Sequence, residues 1–364
     1  MKILFFVPAL NSGGAERVVA TIANALSDEG DTIEILTLNT EQSFYSINKE
    51  IKIVGMNEVI TTSGIKRKLS IPFVEYSRMQ KYVKEVKSFN PDVVISFLYT
   101  TNVLSILAKR RVNVPLIISE RSDPSQYGRM QQSICKTLYP KSDRIVCQGK
   151  IVARFYELCK GKCTIIPNPI NQKSVGSFKK EKKHRVVTVG RLISAKNHKL
   201  LIDAFYQIKD KYPDYTLEIY GEGGLKDSLQ KQINSLGLNN RVFLMGSKQN
   251  VIAELSDAAC FVLSSTYEGF PNVLIEAMAT GLPVISTDFP SGIAQELITD
   301  SENGFLIETE NKDQLIEALD KMLSDNKLQI TFGEKNLGVI EKYSEENIAN
   351  RWKALCEDVI KEKD

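Results

Sequence analysis

An α/β architecture in two domains, each built on a parallel sheet, follows from three features of the chain. Both halves open with an apolar strand, a glycine-bearing loop and an apolar-periodic helix. These are Lys2–Leu10, Asn11–Arg17 and the helix through Val18, Ile22, Ala25 and Leu26 in the first half. In the second they are Arg185–Val189, Gly190–Asn197 and His198–Phe205. A complete βαβ unit follows later: apolar Cys260–Leu263, a polar loop with Gly269 and Pro271, the periodic run Val273–Met278, a stop at Gly281–Pro283, and a second strand, Val284–Ser286. Between the halves, Lys173–Lys183 is polar, lysine-rich and without apolar periodicity, which reads as an interdomain linker, and 364 residues suit two or three domains.

Composition narrows the function classes. With 43% apolar and 25% charged residues the chain is an ordinary globular protein. A net charge of +3 demands no nucleic acid, and no nucleic-acid motif is present. The N-terminal run MKILFFVPALNSGG is too short to span a membrane, lacks a cleavage pattern and leads straight into a glycine loop, so it reads as a first strand. The expected location is the cytoplasm, or peripheral at the inner face of the cytoplasmic membrane. The six cysteines form no CxxC pair, and Cys159 with Cys163 lacks a second pair to complete a zinc site. Only two histidines, His184 and His198, are present, which argues against a multi-histidine metal centre.

In the first half, Gly13 and Gly14 would let backbone approach a diphosphate at a helix start, although the loop is not the GxGxxG of dinucleotide sites. Thr32–Leu38 is the second strand. Residues 66–87 are basic, with Lys66, Arg67, Lys68, Arg78, Lys81, Lys84 and Lys87 against Glu75 and Glu85. Phe73, Val74, Tyr82, Val83 and Val86 can form an apolar face there, so this helix suits an anionic membrane surface, a phosphate-bearing acceptor, or plain solvent. Val93–Phe97, Leu116–Ser119 and Ile145–Cys147 read as successive parallel strands. The middle one runs into Glu120 and Arg121, at a strand end where α/β sheets place ligands; a structural ion pair is the alternative. Ile165–Ile170 ends the first domain, giving 1–170 and 171–344.

In the second half, Arg191 and Lys196 stand five positions apart in a loop led by Gly190 and can reach one diphosphate from two sides. His198, at a helix start, is a cap or packing residue. Tyr215–Tyr220 and Val242–Met245 are strands, the first followed by a loop with Gly221 and Gly223. Glu268 and Glu276 lie eight positions apart in the βαβ unit, and the helix start between them offers unpaired N–H groups at Asn272 and Val273. An anion cradle flanked by two carboxylates suits a phosphorylated sugar. The tail holds Gly304–Ile307, a helix from Lys312 to Leu323, and a last helix bearing Trp352.

These motifs resemble a known family. The Glu-x7-Glu of EGFPNVLIEAMATGLPVI looks like the signature of retaining glycosyltransferases of family 4 (GT4), and GRLISAKN, IIPNPI and GEGG fall in that family's order. The resemblance covers nearly the whole chain. It implies the GT-B fold, two Rossmann-like domains facing across a cleft, with the last helix (345–364) crossing back to an N-terminal acceptor-binding domain and a C-terminal nucleotide-sugar-binding domain. It makes Arg191 and Lys196 the cations that neutralise a leaving diphosphate, and Glu268 the carboxylate on the donor sugar. Glu276 falls to the ribose. Gly13, Gly14, Gly190, Gly223, Asn272 and Val273 fall to the donor side, and Glu120 and Arg121 to the acceptor side. Arg121 stands where many relatives carry a histidine, which resembles the branch of N-acetylgalactosamine and galactose transferases of surface-glycan assembly. GT4 enzymes acting on lipid-linked acceptors often carry a basic segment like 66–87, which makes contact with an anionic membrane an expectation.

The implied reaction is retaining transfer of a hexose or N-acetylhexosamine, GalNAc by preference, from a UDP-sugar to a glycan acceptor on a polyprenyl diphosphate. No cofactor or metal is expected, since no DxD cluster lies near these loops. Two other functions share the architecture: a GT-B sugar-nucleotide epimerase, and a non-catalytic nucleotide-sugar-binding subunit.

Overall fold

A computed structural model of the chain describes residues 1–57, 65–122, 124–156, 159, 161–170, 175–248 and 250–363; the side chains of 65–73 and of Ser125 lie outside the description. The chain divides into two compact units, Met1–Pro169 with Glu345–Asp364, and Ile170–Ser344.

Unit 1 runs β1 (Lys2–Val7), α1 (Gly14–Asp28), β2 (Thr32–Thr37), β3 (Lys52–Gly55), α2 (Ile65–Phe89), β4 (Val93–Phe97), α3 (Tyr99–Val112), β5 (Leu116–Ser119), α4 (Arg129–Leu138), β6 (Arg144–Cys147), α5 (Lys150–Phe155) and β7 (Cys163–Ile165). The strands are parallel, in the order β3-β2-β1-β4-β5-β6-β7. Helices cover both faces of such a sheet, so its central strands are continuous apolar runs. Every residue of Ile3–Val7 and Val93–Phe97 is buried. β1 stops at Val7, earlier than the apolar run predicts, because Pro8 cannot donate to a ladder. The edge strands β3 and β7 are short and half-buried, and sequence periodicity does not reveal them.

The C-terminal helix, Glu345–Lys361, belongs to unit 1. Ile348, Ala349, Trp352, Leu355, Cys356 and Val359 recur at helical spacing and are buried. The Trp352 ring lies 5.6 Å from Phe97 of β4, and Lys353 pairs with Glu29 at 2.6 Å. Part of the apolar face expected on residues 66–87 is also spent inside the unit. Tyr82, Val83 and Val86 are buried against the sheet, whereas Lys81, Lys84 and Lys87 stay exposed. Lys66, Arg67 and Lys68 lie on α2, but their side chains are outside the described residues.

Unit 2 runs β8 (Lys183–Val189), α6 (His198–Ile208), β9 (Thr216–Tyr220), α7 (Lys226–Ser235), β10 (Val242–Gly246), α8 (Val251–Glu254), β11 (Ala258–Leu263), α9 (Asn272–Ala279), β12 (Val284–Asp288), α10 (Ile293–Leu297), β13 (Gly304–Glu308), α11 (Lys312–Ser324), α12 (Asn326–Asn336) and α13 (Val339–Lys342). Its parallel sheet has the order β10-β9-β8-β11-β12-β13. The stretch expected to be a free linker is only partly so. Lys173 lies outside the described residues, but from Val175 onward the chain packs on unit 2. A Cβ at Gly281, whose φ is +73°, would meet the Phe178 ring at 2.4 Å. Lys182 donates to the Ser256 carbonyl at 3.0 Å, and burial pushes its ammonium down to about 8. Among the described residues, no helix is long and apolar enough to cross a membrane.

Candidate active site

The strand order of unit 2 reverses between β8 and β11, and loops leaving the carboxyl ends of strands at such a switch point open a crevice. Both loops singled out in the sequence start there. After β8, Ser194–Lys196 makes one 3₁₀ turn and Asn197 takes the left-handed conformation, φ +46° and ψ +42°, which asparagine tolerates better than most residues. The turn carries Lys196 back over Gly190, where a Cβ would lie 3.3 Å from the Lys196 Cδ. His198 is buried, and burial pushes its imidazole down to about 4, so at neutral pH it is an uncharged packing residue.

The loop after β9 lies directly on the loop after β8. The Gly190 and Leu192 N–H groups donate to the carbonyls of Tyr220 and Glu222, each at 2.9 Å. A Cβ at Gly221, φ +150°, would sit 1.9 Å from the Gly190 oxygen, and one at Gly223 would sit 2.4 Å from the Leu192 oxygen. Packing of loop on loop therefore requires both glycines. Gly221→Ala is expected to cost about 2–4 kcal/mol of stability, read as a lower urea midpoint. A midpoint equal to that of the wild type would contradict the clash.

The loop after β11 is laced to the first. The Thr266 N–H donates to the Ala195 carbonyl at 2.9 Å, and Ser264 Oγ to the Lys196 carbonyl at 3.0 Å. On this frame Lys196 Nζ donates to Glu268 Oε1 at 2.5 Å, and Ser265 Oγ donates to the same oxygen at 2.6 Å. The two charged side chains are 16% and 11% exposed, reachable but mostly desolvated. Glu268 Oε2 has no hydrogen bond among the described residues.

Gly190, over which Lys196 folds, also lines a cavity of about 340 Å³ together with Arg191, Tyr220, Gly221, Ser247 and Lys248, among others. Arg191 is exposed, and the Lys248 ammonium lies 5.6 Å from the Tyr220 ring centre. Glu222 also lines the cavity, but it pairs with Lys226 at 3.1 Å. Arg191 and Lys248 thus leave the wall cationic, suited to an anionic ligand.

The helix start is less open than its sequence suggests. The Asn272 N–H donates to the Phe270 carbonyl at 2.9 Å, so it is not the unpaired group expected there. Glu276, on α9, is buried at 7% exposure, so it is no solvated helix residue.

The other candidates lie in unit 1. Gly13 precedes α1, and Glu16 folds back so that a Cβ at Gly13 would lie 2.0 Å from its Oε2. A diphosphate approaching Gly13 and Gly14 must displace that carboxylate. Glu120 and Arg121, expected on the acceptor side, are both buried. Glu120 Oε1 accepts from the N–H groups of Arg121 (3.0 Å) and Ser122 (3.1 Å) and from the Tyr127 hydroxyl (2.9 Å). Oε2 accepts from Tyr139 (3.2 Å) and Tyr156 (3.1 Å). Burial pushes the carboxyl above the ordinary glutamate range, against the pull of these hydrogen bonds. Arg121 does not pair with the Glu120 side chain. Its Nη1 donates to Asn168 Oδ1 at 2.8 Å, and its guanidinium lies 5.2 Å from the Phe97 ring and 5.5 Å from Trp352. Burial lowers its pKa to about 9. Sequence reasoning missed Ser265 and the three tyrosines. Only Ser265 carries a signal, its position three residues before Glu268.

Residues 170–337 match the family model "Glycosyl transferases group 1", and residues 12–173 match "Glycosyltransferase Family 4". The chain is 31% identical over 363 residues, 99% of each chain, to the GalNAc-alpha-(1->4)-GalNAc-alpha-(1->3)-diNAcBac-PP-undecaprenol alpha-1,4-N-acetyl-D-galactosaminyltransferase of Campylobacter jejuni. It is 32% identical over 350 residues, 92% of this chain and 93% of the other, to that organism's N-acetylgalactosamine-N,N'-diacetylbacillosaminyl-diphospho-undecaprenol 4-alpha-N-acetylgalactosaminyltransferase. Among solved structures, sucrose-phosphate synthase from Thermosynechococcus elongatus superposes with a TM-score of 0.83 at 18% identity, covering 98% of each chain. Anabaena HepE in complex with UDP gives 0.79 at 18% identity, over 98% of this chain and 100% of the other. The chain is a glycosyltransferase with two Rossmann-like domains of the GT-B type, and it belongs to glycosyltransferase family 4.

Proposed function

We propose that this enzyme transfers N-acetylgalactosamine, with retention of anomeric configuration and without a metal, from UDP-GalNAc to a glycan carried on a polyprenyl diphosphate. The observation that carries the reading is the Lys196–Glu268 pair at the switch point of unit 2, with Lys196 on a loop whose Gly190 and Arg191 line a cavity. Arg191 and Lys196 neutralise the leaving diphosphate, with Val273 at the α9 N-terminus adding a partial positive charge. Glu268 accepts from donor-sugar hydroxyls through the oxygen its partners leave open. Glu276 serves the ribose, and Gly190 and Gly223 allow the close backbone approach. The bond from C1 to the departing phosphate oxygen breaks as the bond to the acceptor oxygen forms on the same face. That phosphate oxygen takes the acceptor proton, so no protein base is required.

The choice of sugar and acceptor rests on the two Campylobacter relatives, whose names specify N-acetylgalactosaminyl transfer and undecaprenol-linked saccharides. UDP as the nucleotide is supported by the UDP complex of a protein with the same fold. The exposed Lys81, Lys84 and Lys87 give unit 1 a cationic face for an anionic membrane bearing the acceptor.

Thermal melting with a panel of nucleotide sugars in EDTA tests this. Ligand at a hundred times its Kd stabilises by about 2.7 kcal/mol, a rise of a few degrees expected for UDP-GalNAc. A shift with GDP-mannose alone would overturn the nucleotide assignment. A UDP-GalNAc shift that EDTA abolishes would overturn metal independence.

A further inference from the structure

Beneath the Glu268 carboxylate lie two hydroxyls with no exposed surface, those of Ser265 and Thr287. Ser265 Oγ donates to Glu268 Oε1 at 2.6 Å. Thr287, at the end of β12, donates to the Ser265 carbonyl at 2.5 Å and lies 3.2 Å from the Leu263 carbonyl. β11 and β12 are paired, with Leu263 opposite Ser286, so Thr287 reaches from one strand end to the loop leaving the other. Buried hydroxyls are costly unless bonded. Here they form one chain, from the β12 strand end through the Ser265 backbone and hydroxyl to a single oxygen of Glu268.

We propose that Ser265, held by Thr287, is a positioning residue for Glu268 that keeps Oε2 turned to the donor sugar. This rests on the reading of Glu268 as the donor-sugar carboxylate. A glutamate in a loop has several open rotamers. Two donors on Oε1, Lys196 Nζ and Ser265 Oγ, fix the carboxylate plane and leave Oε2 to accept. The two donors are not equivalent once donor substrate binds. The Lys196 ammonium is then drawn toward the diphosphate, whereas Ser265 Oγ donates to no other acceptor among the described residues. Ser265 therefore holds the carboxylate at the moment when its orientation matters.

The test measures initial rates with UDP-GalNAc and a GalNAc-terminated polyprenyl diphosphate, and UDP affinity by calorimetry. UDP carries the nucleotide and diphosphate but no sugar. Ser265→Ala is expected to lower kcat/KM roughly tenfold to a hundredfold, as for loss of a hydrogen bond to a charged group, while the Kd for UDP stays within about twofold. Ser265→Thr, which keeps the hydroxyl, should recover most of the rate. Thr287→Val should cost a smaller factor in the same parameter. An unchanged kcat/KM in Ser265→Ala, alongside an inactive Glu268→Ala, would overturn the positioning role alone. Full transfer by Glu268→Ala would overturn the reading of Glu268 and this inference with it. Equal losses of UDP affinity and of kcat/KM in Ser265→Ala would mark a merely structural hydroxyl and overturn the inference too.

Discussion

Replacement of Glu268 by alanine is expected to lower the turnover number for glycosyl transfer by a factor on the order of a thousand and to leave the fold in place. Removing one preorganised electrostatic group from a reacting centre typically costs a hundredfold to a thousandfold, about 2.7–4 kcal/mol of transition-state stabilisation. Glu268 stands at the upper end because its carboxylate also orients Lys196, 2.5 Å away. The fold should survive, since the side chain lies in a loop rather than in either core and the Lys196 left behind can still reach water. The effect on the nucleotide should run the other way. Without its carboxylate partner, the Lys196 ammonium is free to meet a diphosphate, so UDP should bind at least as tightly as to the wild type. Loss of turnover with UDP affinity retained or improved is a combination that unfolding cannot produce. More than about a tenth of wild-type turnover in the variant would remove Glu268 from the site.

The parts of this protein legible in its sequence are those in which one short segment carries the whole physical cause. β1, β4 and β11 are buried on both faces, so they read as apolar runs whatever their partners, and β8 shares this at Val186–Thr188. The glycine loops read as loops, and the switch-point loops carry Lys196 and Glu268. The edge strands β3 and β7 were hidden because short half-buried segments have no period to show. The Glu120 environment was hidden for a different reason. Its carboxylate gathers hydroxyls from Tyr127, Tyr139 and Tyr156, and that convergence exists only after the sheet and the helices around it have assembled. Arg121 was placed at a strand end correctly, yet its guanidinium turns inward onto Phe97 and Trp352, the latter from a helix more than two hundred positions later. Asn272 shows the limit of counting helix starts. The tight Phe270 turn takes the N–H that a regular helix would leave unpaired.

Glu120→Ala is expected to destabilise unit 1 by about 3–5 kcal/mol, a large part of the stability of an ordinary domain. The substitution strips the acceptor from three phenols and two backbone N–H groups at once. Tyr139 and Tyr156 have almost no exposed surface on which water could replace it. Each buried donor left unpaired costs about 1–3 kcal/mol, and within one network the losses do not simply add. The chain has a single tryptophan, Trp352, which is fully buried in unit 1, so its fluorescence reports the unfolding of that unit. In urea the fluorescence transition should move to lower concentration, while the part of the circular-dichroism signal that comes from unit 2 keeps its midpoint. Coincident movement of both transitions would mean that the network supports the whole chain; no movement of either would mean that it supports nothing. The direction of the pH dependence follows from burial. Folding raises the Glu120 pKa above its ordinary value of 4.5, so the carboxyl contributes most to stability below that value. That contribution is lost as pH rises through the raised pKa. Measured against Glu120→Gln, which cannot titrate, the wild-type midpoint should therefore stand highest in acid and fall relative to the variant as the pH is raised. A relative rise instead would mean that the five hydrogen bonds outweigh burial and hold Glu120 ionised.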